Sequence, residues 1–389
     1  MRKWKMAGVF LLAFCMAASP LAAAVRAFGA SPDFAYTEEK WSSLQDNKLE
    51  YEEISDLIHE YNTTVLQNEL DYQEYKGKTS SDLSKDYYDS ANEILERIEY
   101  PADDDTNYAS GMTSALNSQI QADDMTEQGD NNVDDGEIKR LGYEQAEKQL
   151  VKQAQGLMIT WQSGLESMES LEDAVTQAEN SYVTVQNQIA AGTAVTSSLE
   201  SAGEAVTTAK AAVQSAKTSL EKTKEQLCIM LGWSYGSEVE FGELPEPDLA
   251  AIEAIDITAD IQTALTNNYS IRITERRIAN SQSDSNKTTY GTTYTLQKDS
   301  ASTSVKNLYN SLLLARDSYE QAKAAYELEE SNVAAAKLRL SAGTITQKTY
   351  DKQVSSSLSA SVKEKTEKLK LLQAKLEYDW AVAGLASVS

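Results

Sequence analysis

From residue 154 to 189, small and apolar side chains recur in alternating steps of three and four: Ala154, Leu157, Trp161, Gly164, Met168, Leu171, Val175, Ala178, Tyr182, Val185 and Ile189. Moved along the chain by 151 residues, these positions become Val305, Leu308, Leu312, Ala315, Tyr319, Ala322, Tyr326, Glu329, Val333, Ala336 and Leu340, of which only Glu329 is neither apolar nor small. A mean step of 3.5 residues over such a distance is the seam of a coiled coil, not of a short globular helix. The same shift carries Ala191-Gly192-Thr193 onto Ala342-Gly343-Thr344. The chain is thus duplicated in architecture, although few residues are identical between the halves.

Beyond each Gly-Thr pair a second seam begins. In the first half it runs through Val195, Leu199, Ala202, Val206, Ala209, Val213, Ala216, Leu220, Thr223 and Leu227; in the second it shows at Tyr350, Leu358, Val362, Leu369, Leu372, Leu376 and Ala383. A glycine between two seams suits a left-handed helix end, and the threonine after it suits an N-cap for the next helix. Each half therefore reads as an antiparallel helical hairpin with an arm of roughly 80 Å at about 1.5 Å rise per residue.

Proline sets the boundaries. It stands only at Pro20, Pro32, Pro101, Pro245 and Pro247, so 102–244 and 248–389 are free to form long helices. Residues 103–137, rich in Asp, Asn, Ser, Thr and Gly and without sustained period, read as a long loop or a weakly ordered insertion. Leu44-Gln45-Asp46-Asn47 and Leu265-Thr266-Asn267-Asn268 look like equivalent openings of the halves, 221 residues apart, which gives the first half about 70 extra residues. Thr288 to Leu296 is the one strand-like passage. The expected layout is a first repeat over 33–244, with an acidic insertion at 101–137 and a hairpin at 138–233. A linker follows at 245–257, then a second repeat over 258–389 with its hairpin at 299–389.

Composition narrows the function. Of 389 residues, 60 are Asp or Glu against 35 Lys or Arg, a formal charge of −25 that argues against nucleic acid as a partner. The N-terminus carries Arg2, Lys3 and Lys5, an apolar run from Met6 to Ala18, and Ala22-Ala23-Ala24, the form of a secretory signal peptide over residues 1–24. Ala30 is the competing cleavage position. An exported chain would keep Cys228 as its one cysteine, which excludes an internal disulfide. One histidine, His59, reads as a solvated helix residue and leaves zinc or Ser/His catalysis without partners. Asp130-Asn131-Asn132-Val133-Asp134-Asp135-Gly136 approaches a calcium loop, but Asp135 stands where glycine belongs and Leu141 where the bidentate glutamate belongs; it reads as solvated charge. No enzyme, cofactor or metal is expected. Trp161 and Trp233 read as packing residues.

The signal peptide, the two repeats of Ala/Gln/Ser-rich hairpins, the tip pairs Gly192-Thr193 and Gly343-Thr344, and the closing helix Leu376-Glu377-Tyr378-Asp379-Trp380-Ala381-Val382-Ala383-Gly384-Leu385 together resemble the TolC-like outer membrane efflux protein family. The resemblance implies an all-α protomer of a helical barrel, assembled as a trimer. It also implies docking through Gly192, Thr193, Gly343 and Thr344 on a periplasmic adaptor that serves an inner-membrane pump. It further implies strand pairs for an outer membrane barrel, which need about 9–11 alternating residues per strand and have no such stretch here. The family's acidic tip positions fall on Thr349 and Lys352, so a cation-sensitive gate is not expected. The alternative reading is a coiled-coil structural or interaction protein of the cell envelope, with no transport role.

Overall fold

The computed structural model describes residues 31–103 and 106–388, so the signal segment with both cleavage positions lies outside the described residues. The helices in chain order are α1 (Glu38–Leu44), α2 (Ile54–Tyr61), α3 (Thr63–Tyr75), α4 (Ser80–Glu96), α5 (Tyr108–Asn131), α6 (Gly136–Ala190), α7 (Thr196–Met230), α8 (Leu249–Glu253), α9 (Ile257–Asn267), α10 (Tyr269–Asn280), α11 (Asp284–Ser341) and α12 (Gln347–Trp380). The last helix widens into a π turn at Ala381–Leu385. Two short strands, β1 (Lys48–Leu49) and β2 (Glu240–Phe241), pair in parallel.

Four long helices form one layer in the order α7, α6, α12, α11. The arms match between the repeats: 55 and 35 residues for α6 and α7, 58 and 34 for α11 and α12. The helices start where oxygen-bearing side chains satisfy their free N–H groups: Asp135 Oδ1 accepts from Ile138 N at 2.9 Å, and the hydroxyls of Ser283 and Thr346 do the same for α11 and α12. The strand pair and the linker after it pack on one face of α6 and α12, where Trp161 meets Phe241 and Lys368 meets Glu246. The core of the first repeat joins α2, the foot of α6 and the end of α7 through Leu49, Ile54, Ile58, Val151, Met158 and Leu227. That of the second joins α8–α12 through Ile252, Ile271, Val305, Leu312 and Leu371. The expected packing tryptophans lie here, Trp161 edge-on to Phe241 with ring centroids 4.5 Å apart and Trp233 against the first core.

Three expectations are corrected. The stretch at 103–137 is no long loop, because α5 occupies most of it and pairs with α4. Its seam is made of Gly111, Ala115, Ala122 and Gly129, residues too small to register as a hydrophobic pattern, which let α4 approach closely. Gly129 lies against the Tyr88 ring and Gly111 against Pro101. Thr288 to Leu296 is helical. The hydroxyls of Thr288, Thr292, Thr293 and Thr295 donate to carbonyls four residues back, so these residues of high strand propensity continue α11 down to Asp284, well before residue 299. The linker at 245–257 contains a helix, α8.

The repeat correspondence also shifts. Asn268, not expected to pair with Asn62, is its structural equal. Asn62 Oδ1 accepts from Thr64 N while its Nδ2 donates to Met230 O at 2.8 Å; Asn268 Oδ1 accepts from Ile271 N while its Nδ2 donates to Ala386 O at 2.9 Å. Each asparagine thus caps one helix and holds the end of its repeat's hairpin. Gly232 and Gly384 complete the two joints, with φ of 92° and 120°. The offset at the openings is therefore 206 residues against 152 at the glycines, leaving 54 extra residues in the first repeat, not 70.

Candidate functional sites: the hairpin tips and the opposite pole

Both tips are built alike. Gly192 has φ 74° and Gly343 φ 70°, the left-handed cap that glycine adopts without steric cost. Gly192 N donates to Ile189 O and Thr193 N to Gln188 O; Gly343 N donates to Leu340 O and Thr344 N to Arg339 O. The threonines do not cap the following helices as expected. Their hydroxyls donate back to Gln188 O and Arg339 O at 2.9 Å, closing the ends of α6 and α11. Val195 caps α7 without a side-chain bond and Thr346 caps α12. Thr193 and Thr344 therefore serve the turn itself.

The two tips share a pole. Along the α6/α12 contact, Lys152 meets Glu377 at 2.7 Å, Glu166 meets Lys365 at 2.9 Å and Asp173 meets Ser355 at 3.5 Å. The numbers rise on one helix as they fall on the other, so the end of α6 reaches the height of the end of α11. Beyond each tip there is open space: a Cβ added at Gly192 or Gly343 would meet nothing within 4 Å.

The other pole carries the α4/α5 hairpin, which packs mainly on itself. Its root is the motif that resembles a calcium loop, and the structure commits those carboxylates elsewhere. Asp135 is buried; its Oδ2 accepts from Arg276 Nε at 2.6 Å and Asn280 Nδ2 at 2.8 Å. Burial works to raise the Asp135 pKa, and the bonds from Asn280, Ile138 N–H and Arg276 outweigh it and hold the carboxyl below its ordinary value. Asp134 pairs with Arg277 at 2.9 Å, and Tyr88 donates to Asp130. The bonds of Asp134 and Asp135 tie α10 of the second repeat to the foot of the first, while that of Tyr88 stays within the α4/α5 hairpin. The motif is an ion-pair latch, not solvated charge. Among the described residues no group of His, Cys, Asp or Glu has the arrangement of a metal site.

His59 is likewise not simply solvated. It is half-buried with Nδ1 3.3 Å from Glu147 Oε1. The bond to Glu147 raises its pKa against the opposing effect of burial. The sequence offered no sign of this contact, since the two residues are 88 positions apart.

The edges of the four-helix layer are open. Of the residues of α7 only Leu227 and Cys228 are buried, and α11 exposes Leu314, Leu328 and Leu338 at 68 %, 62 % and 71 %. Among the described residues no helix is long and apolar enough to cross a membrane.

No protein-family model matches the sequence, and no curated protein does. Solved structures do share the fold. A membrane protein from Pseudomonas aeruginosa is 12 % identical with a TM-score of 0.55, over 86 % of this chain and 90 % of that one. The outer-membrane channel OprN is 10 % identical with a TM-score of 0.55, over 92 % of this chain and 95 % of that one. CusC, described with its transmembrane channel formation, is 10 % identical with a TM-score of 0.51, over 86 % and 92 %. At such identities the likeness is one of fold. The chain has the TolC-like fold that its sequence pattern resembles, without the long strands expected of a membrane barrel among its described residues.

Proposed function

We propose that this chain is an exported duct component of an efflux or secretion system, in which copies of the four-helix layer close into a ring and the pole of Gly192, Thr193, Gly343 and Thr344 docks on an adaptor that serves a pump. The observation that carries the reading is the pair of unsatisfied edges, because exposed apolar stripes on long helices favour burial against another copy. The edges are complementary. The outer side of α11 offers Leu328, and the free side of α7 offers the small residue Ala211 within about one helical turn of the same height. Heights follow from Leu220 against Gly164 across α7/α6 and Gln353 with Glu329 across α12/α11. A head-to-tail contact generates a ring when its rotation closes, and the resemblance to TolC-like channels points to three copies.

Analytical ultracentrifugation of the exported protein tests the ring. A closed oligomer at micromolar concentration is expected, with Leu328→Asp shifting it to monomer at unchanged helix content. A stable wild-type monomer overturns the reading. Docking is tested by Gly343→Trp, which should abolish export in cells that depend on this protein; unaffected export refutes the tip assignment. The second reading, a structural rod of the envelope, draws on the α4/α5 hairpin standing where the family has strands. It becomes the better one if removing the gene leaves export untouched.

A further inference from the structure

On a chain of charge −25, α12 gathers four lysines on a single face. Lys368 fixes the reference direction, since its Nζ meets Glu246 of the linker that covers the decorated side of the layer. At about 100° per residue, Lys348, Lys352, Lys363 and Lys370 stand between about 160° and 220° around the helix from Lys368, on the bare side. All four are exposed. Among the described residues Lys348, Lys352 and Lys363 have no ion pair, and Lys370 has only its helix neighbour Glu367 at 2.8 Å. The lysines on the other directions are neutralised, Lys365 by Glu166 and Glu169, Lys375 by Asp379. Glu377, which stands at about 180° on the same scale, is neutralised by Lys152 of α6 at 2.7 Å. Opposite Trp161, α6 carries Ser163, Ser167 and Ser170, and α7 carries Thr208 and Ser219.

The ring proposed above decides what this face lines, and the inference rests on that reading. Twelve helices about 10 Å apart enclose an interior too narrow for three additional layers, each at least one helix thick, so the decorated side must face outward and the bare side inward. Every lysine then becomes a ring of like charges, and the four rings span roughly 33 Å of lumen at about 1.5 Å per residue. Rings of Lys or Arg select anions in pores, and a narrow lumen with low-dielectric walls focuses their field. We infer that the lumen is a basic girdle and that the cargo is anionic, carrying carboxylate, phosphate or sulfate groups.

The test uses the purified full assembly and the trisulfonated dye pyranine, followed by fluorescence anisotropy. Wild-type protein should bind the dye, and raising the salt from about 50 to 500 mM should weaken binding strongly. The variant K348Q/K352Q/K363Q/K370Q should bind at least tenfold more weakly, with unchanged sedimentation and helix content. The outer-face variant K365Q/K368Q should bind as wild type does. An intact oligomer that does not bind the dye, or one that loses binding equally in both variants, overturns the girdle while leaving the duct standing. A wild-type protein that sediments as a monomer overturns the duct, and the girdle with it.

Discussion

The first repeat runs out and back through α4 and α5 between its opening helices and its long arm, whereas the second passes from α10 to α11 across Ser281–Ser283. Despite this difference the long arms differ by only three residues and end in the same glycine cap. Arm length and joint are therefore set by features both repeats share: the heptad seam, the capping asparagine and the left-handed glycine. What fills the pole opposite the tips is free to differ. The α4/α5 hairpin shows why, since it is held by its own small-residue seam while the segment after it is fixed to α10 through Asp134 and Asp135.

The sharpest way to break this comparison is at the glycines. Gly384 has φ 120°, and a Cβ there would stand 2.5 Å from the Asn267 carbonyl oxygen; at Gly232, φ 92°, it would overlap Tyr61 Cβ. Neither backbone has room to yield. Gly384→Ala and Gly232→Ala should each cost about 3 kcal/mol or more in denaturant unfolding. Gly192→Ala and Gly343→Ala meet no atom and should cost only about 1 kcal/mol. Equal losses at all four would show that the joints at the foot are no more constrained than the tips.

The next test is whether the two joints are energetic equals. Asn62→Ala and Asn268→Ala each remove a cap and strand a carbonyl, Met230 O or Ala386 O, that the side chain satisfied. Each should lose about 1–3 kcal/mol, measured by thermal unfolding. A loss confined to one would mean that the repeats share geometry but not energetics.

The latch between the repeats answers to acid. Asp135 has a depressed pKa in the fold, so its contribution is present above the ordinary carboxyl value of about 3.9 and disappears as pH falls through the folded value. Asp135→Asn keeps an oxygen for the Ile138 cap but discards the charge facing Arg276. It should destabilise the protein by about 1 kcal/mol at pH 7 and progressively less below pH 4, as read from unfolding midpoints across pH. A difference that stays constant with pH would mean that the ion pair contributes nothing beyond the cap.

The arms were legible in the sequence because a coiled-coil seam is a repeating signal, strong enough to place both tips to the residue. The α4/α5 pair was not, because Gly111, Ala115, Ala122 and Gly129 carry their heptad in small size rather than in hydrophobicity. Nor was the continuity of α11, where threonine hydroxyls find helix carbonyls that strand propensity ignores. Capping by Asn62 could have been suspected from Asn62-Thr63-Thr64 before an apolar residue, but its long-range bond to Met230 has no local trace. The lysine face of α12 is present in the spacing 352, 363, 370, yet it acquires meaning only once the linker shows which side is covered.

The smallest expected effect compares the two feet through their charged contacts. The first repeat holds α2 to α6 with His59 and Glu147; the second has Tyr378 donating to Asp260 at 2.6 Å, a bond indifferent to neutral pH. Because His59 has a raised pKa in the fold, its contribution is complete below the unfolded value of about 6.5 and is lost as pH climbs through the folded value above it. Glu147, whose pKa is lowered by the bond to His59 against the effect of burial, contributes only above the ordinary glutamate value of about 4.3. The pair therefore stabilises between those limits, and solvent at the half-exposed imidazole keeps the amount to on the order of 0.5 kcal/mol. The difference between wild type and His59→Gln should be largest near pH 5.5 and vanish toward pH 9, while that between wild type and Tyr378→Phe should stay level over the same range. Unfolding midpoints taken at half-unit pH steps would read both, and a His59→Gln difference that grows toward alkaline pH would show that the neutral imidazole, not the charged one, is the form the first foot holds.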